Sequence, residues 1–481
     1  MSFANNAVSE LAPLAPEACV AVGICAVLCA DLVPALRTRT AGLWLGVLAC
    51  AIAAVLALSP ARAIVAQMLV IDGVAGLVRP VIALVTAFVL IAGAGERRSA
   101  NDHGAWATCV LGIGLGAMLV AAAANLIVLW LGLELISLAS YALASWRARD
   151  RRAAEAGMKF VLFGGAASGV MLFGISHVFG LTGHLDFTGI GAAFAQQMPI
   201  AVLASLLMAF VGVAYKLTIV PFHFYAPDVY QGAPALSVAA VGAVPKLAAG
   251  AVLLRGLATM LPPSLVPPAS VGAVLAVAAM VSLGVASLTA LAQRDAKRIV
   301  AFSGIGHGGT VLLAAASGGG TAAAASAIFY LLAYAAANVG ALLCLSVLER
   351  DLGSCELAKL AGAIRRRPWV TVLLCLFLFS LAGVPPLAGF TAKWAVLQQA
   401  LGGGPMLVAA AFALLASTAI FAWSYLLIIR AAVLAPAPLL PRASGVRMPL
   451  PTAFVLLCCA AGTIGLGLWL DALPAIAQVF S

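Results

Sequence analysis

The sequence predicts an all-α integral membrane protein of about fourteen transmembrane helices, organised as a single polytopic membrane domain over residues 1–481. Three observations carry that expectation. The chain is 64% hydrophobic and 9% charged, with a mean hydropathy of +1.14, and no globule has enough interior to hide that much apolar surface. Apolar stretches of about 20 residues, the length that crosses hydrocarbon as a helix, recur from end to end. Strand-like alternation is absent, which favours helices over a barrel.

In order, the predicted spans lie near residues 13–36, 41–58, 73–94, 105–124, 126–146, 156–181, 199–222, 232–259, 267–292, 297–316, 322–348, 369–400, 405–434 and 450–478. The first follows "MSFANNAVSELAPLAPEACV", which has no basic leader, so it reads as an uncleaved helix. The seventh, continued through "VPFHFYAPDVYQG", and the twelfth, "WVTVLLCLFLFSLAGVPPLAGFTAKWAVLQQA", stand apart. Each is about 32 residues or more, too long for one straight crossing. Pro221 and Pro227 interrupt the first of them, and Pro385 and Pro386 the second. Broken helices at corresponding places in two halves point to internal repeats with a transport path between them. The connections at 182–198 and 349–368 are too short for a separate soluble core.

Charge gives orientation. Nineteen of the 26 basic residues fall in connections after odd-numbered spans, among them Arg37, Arg97, Arg147, Arg294, Lys297, Arg298, Arg350 and Arg442, while the opposite connections carry Arg62 alone. The positive-inside rule then puts both termini outside and the basic connections in the cytoplasm. The net charge of +10 follows from topology and anionic lipid, and nucleic acid is not indicated as a partner. Of ten cysteines only Cys355 lies in a connection and no C-x-x-C pair occurs. They read as small apolar helix filler in place of a metal or iron–sulfur site.

Six basic residues remain: Arg79, Lys159, Lys216, Lys246, Arg255 and Lys393. An ionisable group inside a membrane span is costly and marks a wet or protein-enclosed path unless it can snorkel to the headgroups. Arg79, Lys159 and Arg255 lie near span ends, where snorkelling or local structure is the alternative. Lys246 sits mid-span, about 14 residues or roughly 20 Å from the cytoplasmic start. Lys216 and Lys393 are also deep, each beside a proline break. Glu134, in "LIVLWLGLELISLASYALASW", is the matching acid, with Lys216 its candidate partner. His223, after Pro221, and His307, in "SGIGHGGTVLLAAA", can titrate near neutral pH and are candidate proton relays. His103, His177 and His184 read as loop or interface residues. The glycine strings "GIGLGA" and "GIGHGG" have no strand before them, so they mark close helix packing and not a nucleotide site.

Burial disfavours the ammonium form of a lysine and a nearby carboxylate favours it. At 4 Å and an effective dielectric of about 20 that attraction is roughly 4 kcal/mol, enough to make a buried lysine hold or release a proton. No Ser/His/Asp arrangement, metal cage or phosphate loop suggests covalent catalysis.

The stretches "LGLELISLASYAL", "EAGMKFVLFGGAASGVMLFG", "YKLTIVPFHFYAPDVYQGAP", "RDAKRIVAFSGIGHGG" and "FLFSLAGVPPLAGFTAKW" together resemble the antiporter-like membrane subunits of respiratory complex I, of the NADH-quinone oxidoreductase subunit N family. The resemblance runs in order over nearly the whole chain. A lysine in the twelfth span sets it apart from the M type, which carries a glutamate there, and the lack of a long C-terminal extension from the L type. After His307, "GHGGT" departs from the leucine and tyrosine usual in the family.

The resemblance implies two inverted five-helix repeats, at about 105–260 and 267–434, with helices seven and twelve broken. It also implies roles: Glu134 and Lys216 as a charge pair, Lys246 as the central lysine, Lys393 as the terminal lysine toward the outer face, and Lys159 and His307 as accessory members of a hydrophilic axis. The implied function is proton translocation coupled to electron transfer from NADH to quinone. FMN, iron–sulfur clusters and quinone would sit on other subunits and no cofactor on this chain. Its partners would be the other membrane subunits, lipid and protons, in the inner membrane of a bacterium. A cation/proton antiporter subunit of the same fold is the alternative, and a purely scaffolding subunit the third.

Overall fold

A computed structural model describes residues 11–33, 40–58, 62–96, 100–147, 150–196, 200–261, 268–318, 320–436, 448–469 and 471–480. Arg37, Arg39, Arg97, Arg98, Arg149, Arg442 and Arg447 of the basic connections lie outside the described residues. The helices are α1 (Ala15–Leu32), α2 (Ala41–Ala57), α3 (Gly73–Ala94), α4 (Ala100–Ala122), α5 (Leu126–Ala144), α6 (Arg151–Thr182), α7 (Phe187–Gln196), α8 (Ile200–Ala209), α9 (Val211–Leu217) and α10 (Ala226–Gly232). There follow α11 (Ala235–Met260), α12 (Pro268–Leu291), α13 (Ala296–Ala316), α14 (Thr321–Leu352), α15 (Ala363–Arg366), α16 (Pro368–Ala382), α17 (Ala388–Leu401), α18 (Pro405–Ile429), α19 (Leu450–Leu468) and α20 (Ala472–Phe480). Eleven described helices are long and apolar enough to cross a membrane, and Ala41–Ala57 and Pro368–Ala382 are shorter apolar helices.

Two elements depart from the sequence expectation. A short antiparallel hairpin pairs β1 (Ala63–Val65) with β2 (Leu69–Ile71) around a turn in which Ala66 and Gln67 are left-handed. Its three-residue strands are too brief for an alternation signal. The connection after α6 folds into α7, which sequence reading left without structure.

Burial separates the helices by position. α11, α13 and α14 are buried almost all round, whereas α1 and α18 bury about one face. A helix apolar on every side belongs in the centre of a membrane bundle. α11 packs on α14 and α4, α13 packs on α12, and α1 to α3 stack in sequence beside them.

The same local construction occurs twice, with a constant difference in residue number. Asn125 caps α5 through Ile127 N, and Asp295 caps α13 through Lys297 N. Leu126 N donates to Leu185 O and Phe187 N to Ala124 O; Ala296 N donates to Cys355 O and Leu357 N to Arg294 O. The 32-residue helices α6 and α14 then end at left-handed glycines, Gly183 and Gly353. Glycine suits that conformation because it has no Cβ to clash.

Both long predicted segments are broken. Thr218, left-handed at φ 59°, ends α9, and residues 219–225 run irregularly to α10. Gly383, at φ 86°, ends α16 before the Pro385–Pro386 segment leads to α17. The Val220–Pro221 and Pro385–Pro386 bonds are cis. Each break is partly exposed on this chain, at Pro221 and Phe224 in the first and at Val384, Pro385 and Pro386 in the second.

Candidate functional site

The site grows from the two breaks. Lys246 lies in the middle of α11, directly after Pro245, and is 3% exposed. Its Nζ donates to Thr218 Oγ1 at 2.8 Å and to the Gly304 carbonyl of α13. The ring of Tyr334, from α14, stands 5.4 Å from the same nitrogen. All of these groups are neutral, so no carboxylate holds the proton on Lys246. Thr218 is available because the helix stops there, and its hydroxyl donates onward to Leu217 O at 2.6 Å. A side chain at Gly304 would place its Cβ 3.2 Å from Lys246 Nζ, so glycine is what lets the amine reach that carbonyl.

Lys216 is buried on α9, with the rings of Tyr215 and Phe160 at 5.3 and 5.9 Å from Nζ. Its Nζ has no hydrogen-bond partner among the described residues. The expected charge pair with Glu134 is therefore not closed: Glu134 is half-buried on α5 and does not contact the lysine directly. The two lie on separate elements, α5 and the broken α9, near enough for the carboxylate's charge to act on the lysine.

His307, on α13, faces Tyr330 of α14, with 2.5 Å between Nδ1 and the phenol oxygen. Tyr334 stands 4.8 Å from the imidazole, ring centre to ring centre. Lys393, on α17, donates to Leu381 O at 2.9 Å and Ala382 O at 3.1 Å. These are carbonyls of the last turn of α16, where the helix dipole favours a cation. Two cavities of about 10 Å³ lie between the pair, both lined by His307, Tyr330 and Lys393. One adds Ser380 and Tyr334, the other Ser303, Thr310, Thr418 and Tyr425. Each has a mainly apolar lining into which a few polar side chains reach, and each is at the lower limit of the size that admits one water.

The structure thus brings Lys246 and His307, both buried, and Lys393, half-buried, into one polar series and places the other expected residues beside it. Lys159 meets Asp228 of α10 at 2.7 Å and Glu155 at 2.8 Å in a separate ionic cluster. His223 is buried at the break, its Nδ1 without a described partner, and touches none of the lysines. Pro221, Pro385 and Pro386 occupy the two breaks, while Pro227 opens α10.

Four further basic residues are paired, Arg79, Arg255 and Lys297 buried and Arg298 half-buried, so local structure accounts for Arg79 and Arg255. Arg79 clamps Glu17 through two bonds of 2.5 and 2.7 Å. Arg255 grips Asp72 at 2.6 and 2.8 Å and spends its remaining donors on Ala121 O and Ala123 O. Lys297 reaches Glu349 at 2.9 Å, and Arg298 reaches Asp228 at 2.7 Å. His103 is likewise buried. Sequence reasoning missed Thr218, Gly304, Tyr330, Tyr334 and Asp228. Only Asp228 carried a signal, a carboxylate close behind a proline break. Among the described residues no group of three or more His, Cys, Asp or Glu is placed to hold a metal ion.

Comparison with known proteins agrees with this fold. The family model for the transmembrane region of NADH:quinone oxidoreductase and Mrp antiporter subunits matches residues 123–420. Similar relatives include NADH-quinone oxidoreductase subunit N of Geobacillus kaustophilus, 36% identical over 79% of this chain and 78% of the relative. The subunit N of Parvibaculum lavamentivorans is 33% identical over 84% of each. The match to that of Magnetococcus marinus, 38% identical, spans 58% of this chain and 57% of the relative. A chain of respiratory complex I from Thermus thermophilus superimposes with a TM-score of 0.80 at 29% identity, covering 96% of this chain and 99% of that one. A chain of the Mrp complex from Dietzia shares the fold, with a TM-score of 0.81 at 21% identity over 98% of both.

Proposed function

Because this chain belongs to the NADH:quinone oxidoreductase/Mrp antiporter family of membrane subunits, we propose that it is the proton-translocating subunit N of a bacterial NADH:quinone oxidoreductase. One observation carries the mechanism: Lys246 is bonded at once to the break of the first broken helix, through Thr218, and to α13, through Gly304. A lysine shared between those elements, with neutral acceptors only, can gain or lose a proton without breaking an ion pair.

In the mechanism we infer, approach of Glu134 favours the ammonium form of Lys216. Its withdrawal leaves Lys216 a buried cation without a counter-charge, and the proton moves on. The proton reaches Lys246, whose bonded Thr218 follows Lys216 by two positions on the chain, then passes by His307, Tyr330 and intervening water to Lys393. The carbonyls at the end of α16 stabilise the arriving charge. Lys159 and His223 serve as accessory groups near the break.

The repeated bridge and cap pattern supports two inverted five-helix repeats, at about 105–260 and 267–434, within fourteen crossings. The distribution of basic residues supports cytoplasmic basic connections, with both termini on the periplasmic side of the inner membrane. Electron transfer takes place on other subunits, and this chain holds no redox group of its own. For the antiporter alternative, the likeness to the Mrp chain extends to the fold alone. The test is NADH-driven proton uptake in inverted membrane vesicles carrying Lys246→Ala in the assembled complex. Pumping is expected to be lost while the complex still assembles. Normal pumping per electron would overturn the reading, and sodium-driven proton flux through the isolated chain would favour the antiporter.

A further inference from the structure

The two broken helices correspond residue by residue past their breaks. Thr218 and Gly383 are the left-handed residues, and Pro221 and Pro386 follow each at the same spacing. The same further spacing leads to an ionisable residue in both, Asp228 on α10 and Lys393 on α17. Lys393 lies at one end of the polar series. Asp228 lies on the other side of Lys246, and its partner Arg298 lines a groove of about 590 Å³ together with Gln231, Arg294, Asp295 and Glu356.

Two cations from different elements share that carboxylate. Lys159 of α6 donates to Oδ2 and Arg298 of α13 to Oδ1, each at 2.7 Å. Arg298 is further held by Gln293 Oε1 at 2.8 Å and Gln231 Oε1 at 3.2 Å, and Lys159 by Glu155. Asp228 is a third exposed, in reach of water, while its partners bridge α6 to α13. Two residues along the same short helix, roughly 200° round it, is Tyr230, 4% exposed. The point that a Gly304 Cβ would occupy is 3.7 Å from Tyr230 Oη and 3.2 Å from Lys246 Nζ. One two-turn helix therefore carries a part-exposed acid and, on another face, a phenol near the central lysine.

We propose that Asp228 is the proton-loading carboxylate on the cytoplasmic side of this chain, the functional counterpart of Lys393 at the other end of the series. This rests on the orientation and the role of Lys246 given above. A proton from solvent at the exposed third of Asp228 binds one of its oxygens, which weakens the hold of Lys159 and Arg298. It then leaves by way of water beside Tyr230 for the Lys246 amine, an entry to that lysine distinct from the transfer out of Lys216. Asp228 is again an anion and recovers both cations, so one proton enters the chain and one reaches the lysine.

The groups facing Asp228 are Lys159 and Glu155 from α6 and Arg298 from α13, with Arg294, Asp295 and Glu356 around the groove. The test compares Asp228→Asn, Asp228→Glu, Arg298→Gln and Lys246→Ala in the assembled complex, reading protons pumped per NADH across a pH series. Asp228→Asn is expected to lower the ratio several-fold, and Asp228→Glu to restore it. Arg298→Gln removes one of two cations that favour the carboxylate, so pumping is expected to persist to higher pH. Wild-type pumping by an assembled Asp228→Asn enzyme, with Lys246→Ala inactive, would overturn the proposal alone. Equal loss in Asn and Glu variants with an unmoved pH profile in Arg298→Gln would also overturn it, leaving Asp228 a structural tie. Should Asp228→Asn fail to assemble, the Arg298→Gln profile decides in the same two directions. Normal pumping by Lys246→Ala would remove the underlying reading and this proposal with it.

Discussion

Lys246 and Thr218 are joined by a hydrogen bond of 2.8 Å, the lysine donating, which ties the middle of α11 to the point where the preceding helix breaks. A movement of the break is therefore felt by the central lysine through a single bond. Hydrogen bonds to charged groups contribute roughly 1.5–3 kcal/mol. Thr218→Val, which keeps the shape and removes the acceptor, is expected to slow proton transfer by about one to two orders of magnitude at that contribution. Thr218→Ser should retain most of the rate. Single-turnover proton uptake by the assembled complex measures both.

Gly304 gives a steric test of the same contact. An alanine Cβ would stand 3.2 Å from Lys246 Nζ and 3.4 Å from Tyr334 Oη, so the amine must shift by tenths of an ångström. Gly304→Ala is expected to reduce pumping per electron partially and Gly304→Val to abolish it, with the complex still assembled on native gels. Unchanged pumping in Gly304→Val would show that the amine does not need this position.

On the far side of Lys246, His307 and Lys393 share two small cavities with Tyr330. His307→Ala and Lys393→Met are each expected to lower pumping several-fold. Tyr330→Phe should do so less, because it removes the oxygen at 2.5 Å from the imidazole while leaving the ring. Proton-to-electron ratios in vesicles distinguish the three.

Arg79 and Glu17 are expected to matter for stability and not for transfer. Their side chains are 2% and 6% exposed, and removing one partner of such a pair costs about 3–5 kcal/mol because the other charge is left buried. Arg79→Met should lower the thermal midpoint of the purified complex. Arg79→Met combined with Glu17→Leu should recover much of that loss, since the pair is then replaced by apolar contact.

The residues legible in the sequence were those whose chemistry conflicts with hydrocarbon. Lys246 and Lys393 stood out because an ammonium deep in an apolar run needs a reason, and the two breaks stood out because prolines interrupted runs too long to cross once. Arg79 and Arg255 raised the same flag but resolved differently, because their acids, Glu17 and Asp72, lie far away in sequence and only folding brings them together. Thr218, Gly304, Tyr330 and Tyr334 left no signal at all. Each is ordinary filler in a membrane helix, and its role comes from a backbone turn or a neighbouring helix. Glu134 and Lys216 were matched by charge, yet no hydrogen bond joins them, since complementary charges alone do not fix side-chain geometry.

The central claim is that water connects the buried amines. A map of the assembled complex at a resolution that shows ordered water tests it most directly. The expected result is density for water in the cavities between His307 and Lys393 and beside Lys246, within hydrogen-bonding distance of each nitrogen. Amines separated by close-packed apolar side chains, dry in every state of the enzyme, would contradict it.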